Sequence, residues 1–195
     1  VIVLASRNAG KLAELARLLP SQEVVGLPAD FQASPETGAT FAANALVKAR
    51  EAAAHTGLLA VADDSGLAVD ALNGMPGLLS ARWAGATGTP QEVDRANLEL
   101  VLAQLRDIPD GHRGAAFHCA AALAHPDGRF EVVHGLVRGT LVREPRGSHG
   151  FGYDPLFVPL GHCRTTAELT AGEKDELSHR GRALRALLPH LTRLA

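Results

Sequence analysis

The run Val1-Ile2-Val3-Leu4-Ala5-Ser6-Arg7-Asn8-Ala9-Gly10-Lys11 decides the fold class of this chain. Its first five residues are apolar and rich in β-branched side chains, the composition of a strand buried on both faces. Polar residues follow from Ser6 to Lys11. Leu12, Leu15, Ala16 and Leu19 then recur at i, i+3, i+4 and i+7, the apolar stripe of one helix face. Pro20 stops that helix. Strand, polar turn and helix in direct succession open an α/β fold. With no charged leader region or small-residue cleavage site, Val1 to Leu4 reads as a strand and not as a signal peptide.

Working outward, Glu23 to Leu27 reads as the next strand and residues 28–40 as a loop ending at Thr40, an N-cap. Phe41 to His55 is Ala-rich and helical, closed by Gly57. Leu58 to Ala62 is a further strand, expected to end in Asp63-Asp64-Ser65-Gly66. A Gly- and Pro-rich stretch leads to a helix from Gln91 to Leu105, started by Thr89-Pro90. Ala115 to Ala124 and Phe130 to Val137 flank Pro126-Asp127-Gly128, a hairpin signal. Gly147 to Gly152 form a glycine-rich loop before Leu156-Phe157-Val158. Thr170-x-x-Glu173 is a capping box, and Leu184, Leu187, Leu188 and Leu191 mark a terminal amphipathic helix. The expectation is α/β: a mixed central sheet flanked by helices, one domain over 1–195, in two lobes with a substrate cleft between them.

Composition narrows the function. The chain has 195 residues, 46% hydrophobic and 21% charged. A domain of this size buries roughly 70% of its unfolded surface and needs no staples. Nineteen basic residues against twenty-one acidic ones leave no excess for a polyanion, so nucleic acid is not an expected partner. No run approaches the length of a membrane span. Cys119 and Cys163 are far apart in sequence and read as reduced thiols of a cytoplasmic protein. The nine histidines show no zinc spacing, and Ser65 lacks a Gly-x-Ser-x-Gly frame.

Four segments are able to carry chemistry. Ser6 to Lys11 leads from a strand into a helix, whose free N–H groups and positive dipole end suit a phosphate. Lys11 adds a compact cation, although the Walker frame is missing and a plain tight turn also suits these residues. Asp63-Asp64-Ser65-Gly66 offers two carboxylates, of which only one faces any single site because adjacent strand residues alternate. Such a group holds Mg²⁺ or orients a water, or simply makes an Asx-turn. Phe151-Gly152-Tyr153-Asp154-Pro155 sets two of the few aromatics (six Phe, one Tyr, one Trp) beside glycines, suited to stacking on a base or to plugging a core. Lys174 with Ser178-His179-Arg180-Gly181 offers cationic donors at a helix restart, or a solvated basic face. Among the nineteen basic residues only Lys11, Lys48 and Lys174 are lysine.

Taken in order, these segments resemble the inosine triphosphate pyrophosphatase (Ham1-like, XTP/dITP diphosphatase) family. The resemblance rests on S-x-N-x-x-K at Ser6 to Lys11, E-T-G at Glu36 to Gly38, and T-F-x-x-N-A-x-x-K-A at Thr40 to Ala49. It continues with A-D-D-S-G-L-x-V-D at Ala62 to Asp70, G-x-P-G-x-x-S-A-R at Gly74 to Arg82, F-G-Y-D-P at Phe151 to Pro155, and S-H-R-G at Ser178 to Gly181. It implies Mg²⁺-dependent hydrolysis of ITP, dITP and XTP to monophosphate and pyrophosphate, in a homodimer. Carried over, Ser6, Arg7, Asn8, Ala9, Gly10 and Lys11 look like the triphosphate cradle, with Lys48 a further cation. Asp64 looks like the residue that binds Mg²⁺ and activates water, with Glu36 helping to hold the metal and Ser65 beside the substrate. Phe151, Gly152, Tyr153, Asp154, Lys174, His179 and Arg180 look like the nucleobase pocket. One departure stands out. The family carries an acidic residue before its Asn-Ala, and here it is Ala43, which raises the alternative of a nucleotide-binding module with weakened catalysis.

Overall fold

A computed structural model describes residues 1–194. In chain order the elements are β1 (Ile2–Leu4), α1 (Ala9–Leu18), β2 (Val24–Val25), α2 (Phe41–Thr56) and β3 (Leu59–Val69). Then come α3 (Pro90–Gln104), β4 (Gly114–Ala124), β5 (Phe130–Leu141), β6 (Phe157–Pro159), α4 (Ala171–Leu177) and α5 (His179–Leu194). The strands form one six-stranded sheet in the order β2-β1-β3-β4-β5-β6. β1 runs parallel to β2 and β3, and β5 runs antiparallel to β6, so the sheet is mixed as the sequence implied.

Helix starts follow local chemistry. Asn8 caps α1, Thr40 caps α2, and Thr89 and Thr170 close full capping boxes with Glu92 and Glu173. Gly57 ends α2 in the left-handed conformation, which costs glycine nothing. Among the described residues, no helix is long and apolar enough to cross a membrane.

β3 corrects the sequence reading. It does not end at Ala62 but runs through Asp63-Asp64-Ser65-Gly66 to Val69. That tetrapeptide has turn-forming composition, yet it lies in a strand hydrogen-bonded between β1 and β4, with Lys11 and Arg180 meeting Asp63 and Lys48 meeting Asp64. β5 likewise extends four residues beyond Val137, to Leu141.

The chain divides into two compact units. Among the described residues, the first comprises 1–64, 119–135 and 180–194; the second comprises 65–118 and 136–179. In the first, strand parity sorts the core. Ile2, Leu4, Val61, Cys119, Ala121 and Leu123 pack with Leu15 of α1 and Leu184, Leu187 and Leu191 of α5. Val3, Ala5, Ala60, Ala62, Ala120 and Ala122 pack with Ala45, Ala49 and Ala52 of α2, and small side chains let that helix lie close. The second unit buries Leu67, Val69, Phe117, Val137, Leu141 and Phe157 against Leu98 and Val101 of α3.

Candidate active site

In the first unit, the turn after β1 becomes a helix start because Asn8 Oδ1 accepts from the Lys11 backbone N–H at 3.1 Å. The Asn8 N–H in turn donates to Ser6 Oγ at 3.2 Å, and Arg7 Nη2 donates to the Phe31 carbonyl at 2.7 Å. Arg7 to Gly10 are exposed and Ser6 half-buried. This leaves the positive end of α1 open to an anion.

The strand alternation that sorts the core also separates the two aspartates. Asp63 is buried and points toward α1 and α5, where Lys11 Nζ lies 2.9 Å and Arg180 Nε 3.1 Å from Oδ2. Arg180 Nη1 continues to Glu14 at 3.2 Å, so four charges form a chain: Glu14, Arg180, Asp63, Lys11. Burial alone pushes the Asp63 carboxyl up, but Lys11 and Arg180 overcome it and hold the group well below the usual aspartate range. The Cys119 thiol, pushed far up chiefly by burial and secondarily by Asp63, is an inert core group.

Asp64 points the other way, toward α2. Asn44 Nδ2 donates to its Oδ2 at 2.8 Å, and Lys48 Nζ stands 3.7 Å from its Oδ1. The same ammonium is 2.7 Å from Glu36 Oε1, so two carboxylates converge on one cation. Burial pushes the Asp64 carboxyl up; Lys48 and Asn44 oppose that, and Glu36 adds to it. Carboxylate oxygens gathered round a positive charge are the donor chemistry that Mg²⁺ takes, one or two from protein and the rest from water and phosphate. Two carboxylates fit that role only with water and phosphate completing the shell: among the described residues no group of three or more His, Cys, Asp or Glu side chains gathers to hold a metal ion. Ala43, one residue before Asn44, is exposed on the first turn of α2 and takes no part in the Glu36–Lys48–Asp64 contacts.

In the second unit, Asp154 is buried and organises the glycine-rich loop. Its Oδ2 accepts from Lys174 Nζ at 2.5 Å and from the Phe151 N–H at 2.8 Å, while Oδ1 accepts from Thr166 Oγ1 at 2.8 Å. Gly150 has φ of +77°, and a side chain there would run into the Asp154 carboxylate. The Lys174 ammonium also lies 4.8 Å from the centroid of the Phe151 ring, which remains exposed. The Gly152 N–H donates to Asp94 Oδ2 at 2.8 Å. Tyr153 is buried, and its hydroxyl donates to the Ser80 carbonyl at 2.8 Å, which makes it a core anchor. His179 is buried and stacked on Phe117, with centroids 4.6 Å apart. Ser65 follows Asp64 in β3 and is half-buried.

The structure thus joins Lys11 to Asp63, Glu36 and Lys48 to Asp64, and Phe151 and Lys174 to Asp154. It places Arg180 in the buried charge chain with two guanidinium nitrogens given to carboxylates. Sequence reasoning missed three residues, Glu14, Asn44 and Asp94, together with the structural role of Asp63. Two of them left a trace. Asn44 interrupts the small-residue stripe of α2, and Glu14 falls one turn after Lys11 beside Leu15 on the buried face of α1.

The chain is similar to known proteins over nearly its whole length. The profile of the Ham1 family matches residues 2–190. The dITP/XTP pyrophosphatase of Mycobacteroides abscessus is 58% identical over 200 residues, covering 99% of this chain and 95% of that protein. The protein of the same description from Frankia alni is 61% identical over 191 residues, covering 95% and 94%. Among solved structures, a HAM1 protein from Coxiella burnetii superposes with a TM-score of 0.85 at 46% identity, over 98% of each chain. A nucleoside-triphosphatase (dITP/XTP pyrophosphatase) from Mycobacterium abscessus gives 0.75 at 60% identity, over 96% of this chain and 98% of that one.

Proposed function

This chain belongs to the Ham1 family, and on that premise we propose that it hydrolyses non-canonical purine nucleoside triphosphates, ITP, dITP and XTP, to monophosphate and pyrophosphate. The observation that carries the reading is the convergence of Glu36 and Asp64 on Lys48, in the unit that also presents the Asn8-capped start of α1. Breaking the α–β bond requires charge neutralisation on the phosphates and a water aligned with the bond, which is mostly positioning and electrostatics. Lys11, Lys48 and the α1 N–H groups supply positive charge to the triphosphate. Glu36 and Asp64 hold Mg²⁺, which when bound polarises phosphate oxygens and acidifies a water. Asp64 orients the attacking water and takes its proton at a carboxylate oxygen.

Base recognition is assigned to Phe151, which stacks, to Lys174 and the loop that Asp154 fixes, and to the adjoining Ser178-His179 pair, whose donors suit a 6-oxo group, while Arg180, with Nε and Nη1 given to Asp63 and Glu14, has a structural part. ATP presents a 6-amino group to those donors and leaves them unpaired, a mismatch able to discriminate by several powers of ten. The proposal includes a homodimer working in the cytoplasm, where Cys119 and Cys163, both free thiols, stay reduced. Sedimentation tests the dimer.

The deciding experiment incubates the protein with ITP, dITP, XTP, GTP and ATP, with and without Mg²⁺, and identifies the products. Pyrophosphate and monophosphate from the deaminated purines, only with metal, is the expected result. Orthophosphate release, or equal hydrolysis of ATP, overturns the reading.

A further inference from the structure

Asn44 is a buried polar side chain, 5% exposed, on the second turn of α2. Its amide has both ends engaged. Oδ1 accepts from the Gly38 backbone N–H at 2.7 Å, and Nδ2 donates to Asp64 Oδ2 at 2.8 Å. The orientation of the amide is forced, because the Gly38 N–H is a donor and must face the oxygen. The nitrogen therefore faces Asp64.

Gly38 is shaped around this contact. A Cβ there would lie 2.5 Å from Asn44 Oδ1 and 3.1 Å from the Asn44 backbone nitrogen, closer than side-chain carbons pack. Gly38 lies two residues after Glu36, the second carboxylate on Lys48, in a segment without regular structure. One side chain thus ties the backbone beside Glu36, six residues before it, to the Asp64 carboxylate, twenty residues after it.

We infer that Asn44 is a positioning residue that sets Glu36 and Asp64 as a pair, fixing the separation and direction of the two carboxylates. The inference rests on the reading that these carboxylates hold the metal. Partners that orient ligands in this way typically account for about 10–100-fold in metal affinity or activity.

The test uses Asn44→Ala, Asn44→Asp, Gly38→Ala and Asp64→Asn in the full chain. Three quantities are read: Mn²⁺ binding by electron paramagnetic resonance without nucleotide, exchange of the Gly38 amide, and kcat and KM for ITP. Asn44→Asp has nearly the same shape and keeps an acceptor for Gly38, so it stays informative if Asn44→Ala fails to fold. In Asn44→Asp, the Gly38 amide stays protected while Mn²⁺ affinity and kcat each fall about tenfold or more, with KM within about twofold. In Asn44→Ala the Gly38 protection is lost as well. Gly38→Ala, which displaces an unaltered Asn44, weakens Mn²⁺ binding to the same degree. Wild-type Mn²⁺ binding and kcat in both Asn44 variants, with binding lost in Asp64→Asn, overturn the inference and leave the metal reading standing. Wild-type Mn²⁺ binding and turnover in Asp64→Asn remove the metal reading, and the inference with it.

Discussion

Asp63 and Asp64 are consecutive in β3, yet their carboxylates belong to separate clusters: Asp63 with Lys11 and Arg180 on one face, Asp64 with Asn44 and Lys48 on the other. Strand geometry requires this, because neighbouring side chains leave a strand on opposite sides. The consequence is a division of labour. Asp63 is enclosed by α1 and α5 and compensates two buried or half-buried cations. Asp64 is less enclosed and shares its cation with Glu36.

The first prediction separates the pair by kinetics. Asp64→Asn keeps the shape and removes the base and the charge, so kcat for ITP falls by about 10²–10⁴-fold in a protein of normal thermal stability. Pyrophosphate release measures it. Full turnover in this variant sinks the assigned role.

The second concerns stability in acid. The native Asp63 carboxyl is held below its ordinary value, so between the two values the unfolded chain binds more protons than the native one. Stability therefore rises with pH across that window, is fully present above the ordinary aspartate pKa of about 3.9, and is lost as pH falls toward the native value. Urea midpoints recorded from pH 7 to pH 3 show a steep fall below about pH 4 in the wild type. Asp63→Asn costs about 3–5 kcal/mol at pH 7, because two cations lose their counter-charge, and flattens the acid fall. An unchanged acid slope in that variant contradicts the Asp63 account.

A third prediction addresses the base end. Lys174→Met removes the ammonium from the Phe151 ring and leaves the buried Asp154 carboxylate without its cation. KM for ITP rises about tenfold or more, a loss of about 1.4 kcal/mol or more in binding, while kcat changes less. Steady-state kinetics with ITP and ATP checks both that split and the ITP preference. A fall confined to kcat places Lys174 elsewhere in the reaction.

Arg113 supplies a purely structural contrast. It is 2% exposed, and its guanidinium donates to the carbonyls of Leu105, Leu141 and Val142 at 2.7–3.0 Å. Arg113→Met leaves three carbonyls without that donor, at about 1–3 kcal/mol for each that stays dry. Denaturant unfolding should show a loss of about 3 kcal/mol or more, with kcat per folded molecule unchanged. A normal unfolding midpoint would show that water replaces the guanidinium.

Ala43→Glu tests the departure from the family pattern. The exposed first turn of α2 accepts a larger side chain, and a third carboxylate there adds negative charge near Glu36 and Asp64. Half-saturating Mg²⁺ in the ITP assay should fall by about two- to tenfold, a gain of up to about 1.4 kcal/mol. No change in metal dependence would show that position 43 lies outside the reach of the metal.

Much of the fold was legible because its signals are local. The apolar run at Val1 to Ala5, the stripe through Leu12, Leu15 and Leu19, and the caps at Asn8, Thr40, Thr89 and Thr170 act over one to four residues. They placed strands and helices close to where they occur. The length of β3 was not legible in the same way: Asp63 to Gly66 have turn-forming composition, yet the strand runs through them to Val69 inside the six-stranded sheet.

The sequence by itself determined the alternation of strand and helix, the order of the motifs, and that Asp63 and Asp64 face opposite ways. All three follow from covalent neighbours and the two-residue period of a strand. Only the tertiary structure decided which cation each carboxylate meets, that Arg180 reaches Glu14 across 166 residues, and that Asn44 joins Gly38 to Asp64. Those pairings depend on how α1, α2 and α5 pack on the sheet, and no spacing along the chain encodes a distance through space.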